Sequence, residues 1–427
     1  MLKLYDFQKQ ILNMTKDRNR VAYYLDMGLG KTFVGSEKMM KLGNKINLII
    51  CQKSKINDWL EHFEEHYWKT SNKKIGIYDL TDKKNYQEFL DLCYTSEFDV
   101  YIAVINYELV FRRPELLKLN NFTLLLDESS LIQNEHAKRT KFILNMNPTN
   151  IILLSGTPVG GKYENLWSQC RLLGWHINKS SFWQRYIQTR LIEVNGFNLP
   201  IVTGYMNVSE LKQNLREHGA VFLKSSEVLD LPEQVETKQL IEPIPAYKSF
   251  RKNSIIEIDD NTLVGDNILK KMLYERQLCG QYNTKKLDAL KEIMESTSNR
   301  LIIFYNFTKE KDLIVSLCEK LKKPYSIING EIKDLKAYQQ NDDSVTIVQY
   351  QAGAMGLNLQ QANKIIYFTL PLSSELFEQS RKRIHRIGQD RTCFYYYLIT
   401  KGSIEEKILK TLQMRKDYTN ELYREGM

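Results

Sequence analysis

Short apolar runs rich in β-branched and aromatic residues recur along the first part of the chain: Val21–Leu25, Ile46–Cys51, Val100–Ile105, Phe122–Leu126 and Ile151–Leu154. Runs of this length without polar alternation predict strands buried on both faces. Between them lie stretches with helical spacing, among them Thr32–Leu42, Asn57–Tyr67 and Lys138–Asn145. That rhythm predicts a parallel sheet with helices on both sides. From about Glu164 to Ser225 the pattern predicts aromatic-rich helix (Trp167, Trp175, Phe182, Trp183, Tyr186), interrupted near Asn195–Pro200. Pro232, Pro243 and Pro245 then mark a linker, and Tyr247–Gln281 reads as helix apart from a loop near Asp259–Asp266. A second strand–helix rhythm begins near Lys285, with Leu301–Tyr305, Tyr325–Ile328, Val345–Val348, Ile365–Phe368 and Cys393–Thr400 as its strands. A final helix, Ile404–Tyr423, puts Ile404, Ile408 and Leu412 on one face. The expected architecture is α/β: a first parallel-sheet lobe over residues 1–225, of which 164–225 form a helical protrusion, a linker and second helical protrusion over 226–284, and a second lobe over 285–427.

A length of 427 residues agrees with more than one domain. The 43% hydrophobic and 26% charged content belongs to a globular protein. No apolar run approaches a membrane span, and Met1–Gln10 has no signal-peptide pattern, so no membrane association and a cytoplasmic location are expected. Six cysteines without a CxxC spacing point to neither a zinc site nor a disulfide framework. The net charge of +9 admits a nucleic-acid partner and equally a solvated basic surface.

Chemistry concentrates at the ends of the expected strands. Asp26-Met27-Gly28-Leu29-Gly30-Lys31-Thr32 follows one strand and opens a helix. Such a turn offers backbone N–H groups and a helix N-terminus to a phosphate chain, with Lys31 reaching the β and γ phosphates and Thr32 ligating Mg²⁺. The first glycine of the usual string is absent, Leu25 standing in its place, and a plain turn with a surface lysine is the alternative. Asp127 and Glu128 end another strand, where open α/β sheets place ligands. There Asp127 could hold Mg²⁺ and Glu128 could orient or deprotonate a water, or both could be solvated acids opening a helix. Ser155-Gly156-Thr157-Pro158 ends a third strand and is either a coupling element or a tight turn. In the second lobe Gln351–Leu359 carries Gly353 and Gly356, and Gln379–Gln389 is the most basic window. Arg383 and Arg386, three apart, share a face if that segment is helical, and could act as arginine fingers or as a solvated basic helix.

In this order the motifs resemble the superfamily 2 helicase-like ATPases, and within them the Swi/Snf branch of double-stranded DNA translocases. Leu4-Tyr5-Asp6-Phe7-Gln8 resembles the opening glutamine motif, Met27–Thr32 motif I, which in this branch also lacks the first glycine, and Ser54 with Trp59 motif Ia. Ile105-Asn106-Tyr107 is similar to motif Ib, Leu126–Ser130 with Gln133-Asn134 to motif II, and Ser155–Pro158 with Glu164–Trp167 to motif III and its sequel. Ile302–Tyr305, Gly353–Leu359 and Arg383–Gln389 resemble motifs IV, V and VI, the last being the most diagnostic. Leu231-Pro232 and Arg276-Gln277 resemble the connecting features, and Gly402–Lys407 the C-terminal brace helix.

The resemblance implies two RecA-like lobes and ATP with Mg²⁺ hydrolysed between them. It implies Gln8 on the adenine, Met27, Gly28, Leu29, Gly30, Lys31 and Thr32 around the phosphates, and Gly356 and Asn358 contributing from the second lobe. Thr32 and Asp127 would hold the metal, with Lys31, Glu128, Arg383 and Arg386 in catalysis. Ser155, Gly156, Thr157 and Gln379 would couple hydrolysis to movement, and Lys53, Ser54 and Lys162 are candidate nucleic-acid contacts. The implied partner is duplex DNA, with a DNA-bound protein as the thing displaced, acted on by a monomer in a bacterial or phage-infected cell. A strand-separating DNA or RNA helicase is the alternative, and a scaffold with a degenerate switch a more distant one. Two positions depart from the family: Ser129-Ser130 replace a small residue and His at the end of motif II, and Lys224 stands for an arginine.

Overall fold

The computed structural model describes residues 3–194, 197–259, 261–353 and 357–423. Two compact units result, Met1–Val228 with Tyr418–Met427, and Leu229–Asp417.

The first unit contains β1 (Arg20–Leu25), β2 (Ile46–Cys51), β3 (Ile75–Asp79), β4 (Val100–Asn106), β5 (Phe122–Asp127), β6 (Asn150–Ser155), β7 (Ile187–Val194), β8 (Phe197–Tyr205) and β9 (Ala220–Leu223). Seven of these form one parallel sheet in the order β3-β4-β2-β5-β6-β1-β9. Its central strands are apolar along their length because both faces are covered: every residue of β2, β4 and β6 is buried. β1, β6 and β5 are neighbours, with Tyr24 opposite Ser155 and Asp127 opposite Leu154, so their carboxyl ends open side by side. The three polar stretches that follow these strands are thereby gathered on one edge of the sheet.

The stretch 164–225 is not helical throughout. Helices at Trp167–Leu172, Lys179–Tyr186 and Val208–Glu217 flank an antiparallel hairpin of β7 and β8. The alternating side chains of Ile187–Val194 fit a strand, and Asn-Gly between Val194 and Phe197 is a strong hairpin signal.

The second unit contains β10 (Gln234–Ile241), β11 (Ile255–Ile258), β12 (Asn261–Val264), β13 (Leu301–Tyr305), β14 (Tyr325–Ile328), β15 (Val345–Gln349), β16 (Lys364–Tyr367) and β17 (Cys393–Thr400). Six make a parallel sheet in the order β10-β17-β16-β13-β15-β14. Two expectations are corrected here. The segment after Pro232, read as linker, is edge strand β10, paired with β17 from Gln234↔Cys393 to Ile241↔Thr400. Within Tyr247–Gln281, the helices Pro245–Asn253 and Ile268–Cys279 enclose a hairpin of β11 and β12. The start of the final helix, Ile404–Tyr423, is tied to the second unit by Glu405, whose carboxylate pairs with the fully buried Lys286 at 2.6 Å and accepts from the Thr400 amide at 2.9 Å. No helix among the described residues is long and apolar enough to cross a membrane.

Candidate nucleotide site

The turn after β1 is shaped by glycines. Gly28 and Gly30 have φ of +89° and +71°, backbone that side-chain-bearing residues rarely adopt. At Gly30 space is also exhausted, since a Cβ there would lie 2.4 Å from Gln8 Nε2. Gly30 caps the helix Lys31–Leu42, so the first amides of that helix are left to face a ligand. Gln8 holds the turn from outside: its Nε2 donates to the Leu29 carbonyl at 3.0 Å, and its Oε1 accepts from the Tyr5 amide at 2.9 Å. Asp26 accepts from the Met27 amide and from the Ser225 hydroxyl at 2.7 Å, joining the turn to the segment beyond β9. Lys31 is half-buried and folds back to donate to the Leu25 carbonyl at 3.2 Å. Gly156 keeps the lysine's flank open, for a Cβ there would meet Lys31 Nζ at 3.1 Å.

At the end of β5, Asp127 is half-buried and its Oδ2 accepts from the Trp59 indole Nε1 at 3.0 Å, while Tyr107 Oη donates to its backbone carbonyl at 2.9 Å. One carboxylate oxygen and the main chain are thus fixed by neighbours from the first unit. Glu128 sits in the left-handed region at φ +53°, a conformation that turns the chain sharply out of the strand and costs a side-chain-bearing residue energy. Ser129 Oγ donates to Gln169 Oε1 at 2.8 Å, and Gln169 Nε2 donates to the Pro158 carbonyl at 2.9 Å, so the turn after β5 and the loop after β6 share one buried partner. Ser155 Oγ accepts from the Thr157 amide at 3.1 Å, and the buried Thr157 hydroxyl has no hydrogen-bond partner among the described residues.

Behind this edge lies an aromatic group in which His62 packs edge-on to Phe33 and accepts or donates a hydrogen bond with Ser36 Oγ at 2.8 Å. Burial pushes the His62 imidazole down to about 4, which keeps it neutral under ordinary conditions.

These features test whether a nucleotide with a divalent cation fits. The cradle is one that added Cβ atoms would fill, its lysine donates to a main-chain carbonyl, and Asp127 and Thr32 offer hard oxygen donors. Among the described residues no three His, Cys, Asp or Glu side chains are grouped to hold a metal by themselves. A cation here would therefore take Thr32 and Asp127 together with phosphate oxygens, the pattern preferred by Mg²⁺. Lys53, Ser54 and Lys162 are exposed, Lys53 and Ser54 in the short turn Lys53–Lys55 after β2 and Lys162 just before the turn Tyr163–Leu166. Lys224 follows β9, its amide donating to Glu227 at 3.0 Å.

In the second unit the basic window is not one helix. The helix Ser374–Arg381 ends before Arg383, and residues 382–388 form turns, so the premise that Arg383 and Arg386 share a helical face fails. Arg383 is 2% exposed and its Nη1 reaches the Leu357 carbonyl at 3.5 Å, whereas Arg386 is half-buried and its pKa is lowered by desolvation. His385 Nε2 meets the Pro232 carbonyl at 2.9 Å, and Gln389 Nε2 donates to the Ala362 carbonyl at 2.8 Å. Gln379 is 5% exposed and its Nε2 lies 3.4 Å from Glu375. Asn358 is exposed, and Gly356 lies outside the described residues. The sequence reading missed Arg381, which is buried, pairs with Glu236 of β10 at 2.7 Å and stacks 4.3 Å over the Tyr395 ring. It also missed Gln169; the one available signal was an amide on the buried side of Trp167–Leu172.

Two parallel-sheet lobes, one with a glycine-shaped turn between strand and helix and an Asp-Glu pair two strands away, define a helicase-like protein of superfamily 2. The model of the SNF2-related domain matches residues 23–284, and that of the helicase conserved C-terminal domain matches residues 285–388. The chain belongs to the SNF2-related family. It is similar to the ISWI chromatin-remodeling complex ATPase ISW1 of Saccharomyces cerevisiae, 24% identical over 467 residues that cover 97% of this chain and 40% of the relative. An uncharacterized ATP-dependent helicase of Mycoplasma pneumoniae is 24% identical over 418 residues, 90% of this chain and 38% of that protein. The chain thus spans about 40% of the length of these relatives. Among solved structures, the Sulfolobus solfataricus SWI2/SNF2 ATPase core in complex with dsDNA aligns with a TM-score of 0.45 and 20% identity, over 98% of this chain and 92% of that one.

Proposed function

We propose that the chain is an ATP-driven motor core that binds ATP on its first unit and uses hydrolysis to move along duplex DNA, displacing or remodelling what is bound there. The observation that carries this is the turn Asp26–Thr32, whose left-handed glycines, pinned backbone and folded-back Lys31 form a cradle for a phosphate chain. Lys31 would exchange the Leu25 carbonyl for phosphate oxygens, and Gln8, already against the turn, would meet the base. Mg²⁺, held by Thr32 and Asp127, would supply neutralisation of phosphate charge. Glu128, carried out of β5 by its left-handed turn, would orient the attacking water and take its proton. The reading also gives Arg383 and Arg386 the task of balancing charge on the nucleotide during hydrolysis, and Ser155, Gly156, Thr157 and Gln379 that of relaying it. Family membership and the net charge of +9 support duplex DNA as the track, with Lys53, Ser54 and Lys162 as candidate phosphate contacts.

The test is the steady-state ATPase rate without nucleic acid and with duplex DNA, single-stranded DNA or RNA, using Lys31→Ala as the control. Stimulation by duplex DNA that is abolished by Lys31→Ala and weakens steeply with salt is expected. Stimulation by single strands or RNA alone would replace the duplex translocase with a strand-separating helicase. Turnover that survives Lys31→Ala would remove the cradle as its source.

A further inference from the structure

We propose that Gln169 is a positioning residue that locks the Glu128 turn to the loop beside Lys31. This deepens the reading of the nucleotide site and rests on it. Gln169 lies in the helix Trp167–Leu172, is fully buried, and touches polar groups from three strand ends. Its Oε1 accepts from Ser129 Oγ at 2.8 Å and from Tyr24 Oη at 3.0 Å, and its Nε2 donates to the Pro158 carbonyl at 2.9 Å. Tyr24 precedes the Asp26–Gly30 turn on β1, Ser129 follows Glu128 after β5, and Pro158 closes the loop after β6 whose Gly156 flanks Lys31.

The chemistry explains why this amide acts as a clamp. A glutamine offers a two-lone-pair acceptor and a donor at fixed separation, so one side chain can satisfy two hydroxyls and a carbonyl together. In a buried setting each of these groups is costly to leave unpaired, which favours one arrangement of the three segments over others. Glu128 is the residue with most need of such restraint. Its φ of +53° is an uphill conformation, and the adjoining Ser129 bond holds the turn that imposes it. The Ser129 hydroxyl thus gains a task within its own unit.

The experiment compares Ser129→Ala, Gln169→Leu and the double variant in the full chain. Two readouts are taken, ATP turnover at saturating ATP and affinity for a fluorescent ATP analogue. Tyr23→Phe serves as the packing control, because it deletes a buried hydroxyl bonded to Thr15 Oγ1 at 2.7 Å on the other face of β1. Ser129→Ala should lower turnover about tenfold with analogue affinity changed less than about twofold, the scale of one lost hydrogen bond in a barrier. The double variant should be no slower than Gln169→Leu, since both remove the same link. The proposal is overturned if Ser129→Ala loses no more turnover than Tyr23→Phe, or if the two single losses multiply. Should Gln169→Leu not fold, the comparison of Ser129→Ala with Tyr23→Phe decides alone. An unmutated chain that neither binds the analogue nor hydrolyses ATP would instead overturn the nucleotide reading itself.

Discussion

Trp59→Phe is the perturbation whose consequence can be worked most directly from the geometry. The indole is 1% exposed and donates from Nε1 to Asp127 Oδ2 at 3.0 Å, while Tyr107 independently fixes the Asp127 backbone carbonyl at 2.9 Å. Phenylalanine keeps most of the packing against Phe63 and His62 but cannot donate. A hydrogen bond to an ionised carboxylate contributes about 1.5–3 kcal/mol. Removing such an outer partner of a metal ligand typically lowers metal affinity about 10–100-fold. The main chain stays held by Tyr107, so the loss should fall on carboxylate orientation and not on the path of β5. The assay is Mg²⁺ titration of the binding of a fluorescent ATP analogue, with urea unfolding run in parallel. The Mg²⁺ midpoint should rise about 10–100-fold while analogue binding without Mg²⁺ is unchanged. An unmoved Mg²⁺ midpoint in a destabilised variant would refute the reasoning and reduce Trp59 to a core residue.

Lys286→Met leaves Glu405 buried and unpaired, which should destabilise the second unit by about 3–5 kcal/mol. All five tryptophans lie at positions 59–183, so the shift should appear in far-UV circular dichroism and be absent from tryptophan fluorescence. Glu310 is fully enclosed and burial raises its carboxyl to about 7, against hydrogen bonds from Asn306, Phe307 and Thr369 that pull the other way. A folded-state value above the unfolded 4.5 means that this group stabilises most below about pH 4.5 and loses its contribution as pH rises through about 7. Glu310→Gln should accordingly flatten the pH dependence of the second unit's stability across that window, and an unchanged slope would contradict the assignment. Arg386→Ala should slow ATP turnover more than Arg383→Ala, because Arg386 is half-buried and Arg383 is enclosed beneath Leu357. The reverse order, with equal thermal midpoints, would make Arg383 the acting cation.

What the sequence showed best was whatever depends on local composition. β2, β13, β14 and β17 begin and end where their apolar runs do; in β2 and β13 every residue is buried, so no polar alternation blurs their limits. The edge strands β3 and β10 escaped for the complementary reason, whereas the edge strand β14 kept a recognisable apolar run. β10 is largely exposed and polar, and only its pairing with β17 makes it a strand, while β3 is interrupted by Gly76. The two hairpins were hidden by helical neighbours, although Asn-Gly announced one of them. At the candidate site, Lys31, Asp127 and Glu128 stand out in the sequence because their motifs are contiguous. Trp59 and Gln169 were not legible as their partners, for they lie 68 and 40 residues from the groups they hold.

The two units differ in how ready their polar groups are. On the first, the cradle is formed by backbone that glycines alone allow, Asp127 is oriented at two points, and the three loops are joined through Gln169. Little reorganisation separates that arrangement from one holding a phosphate chain, which is where preorganised dipoles are most effective. On the second, Arg383 is enclosed and Arg381 is committed to Glu236, Gln234 and the Tyr395 ring. Arg386 keeps a lowered pKa from burial, so an approaching anion would relieve a cost it already bears. On the proposed reading, movement of the basic segment would then limit turnover more than assembly of the phosphate cradle, the 3.5 Å approach of Arg383 to the Leu357 carbonyl being a long one.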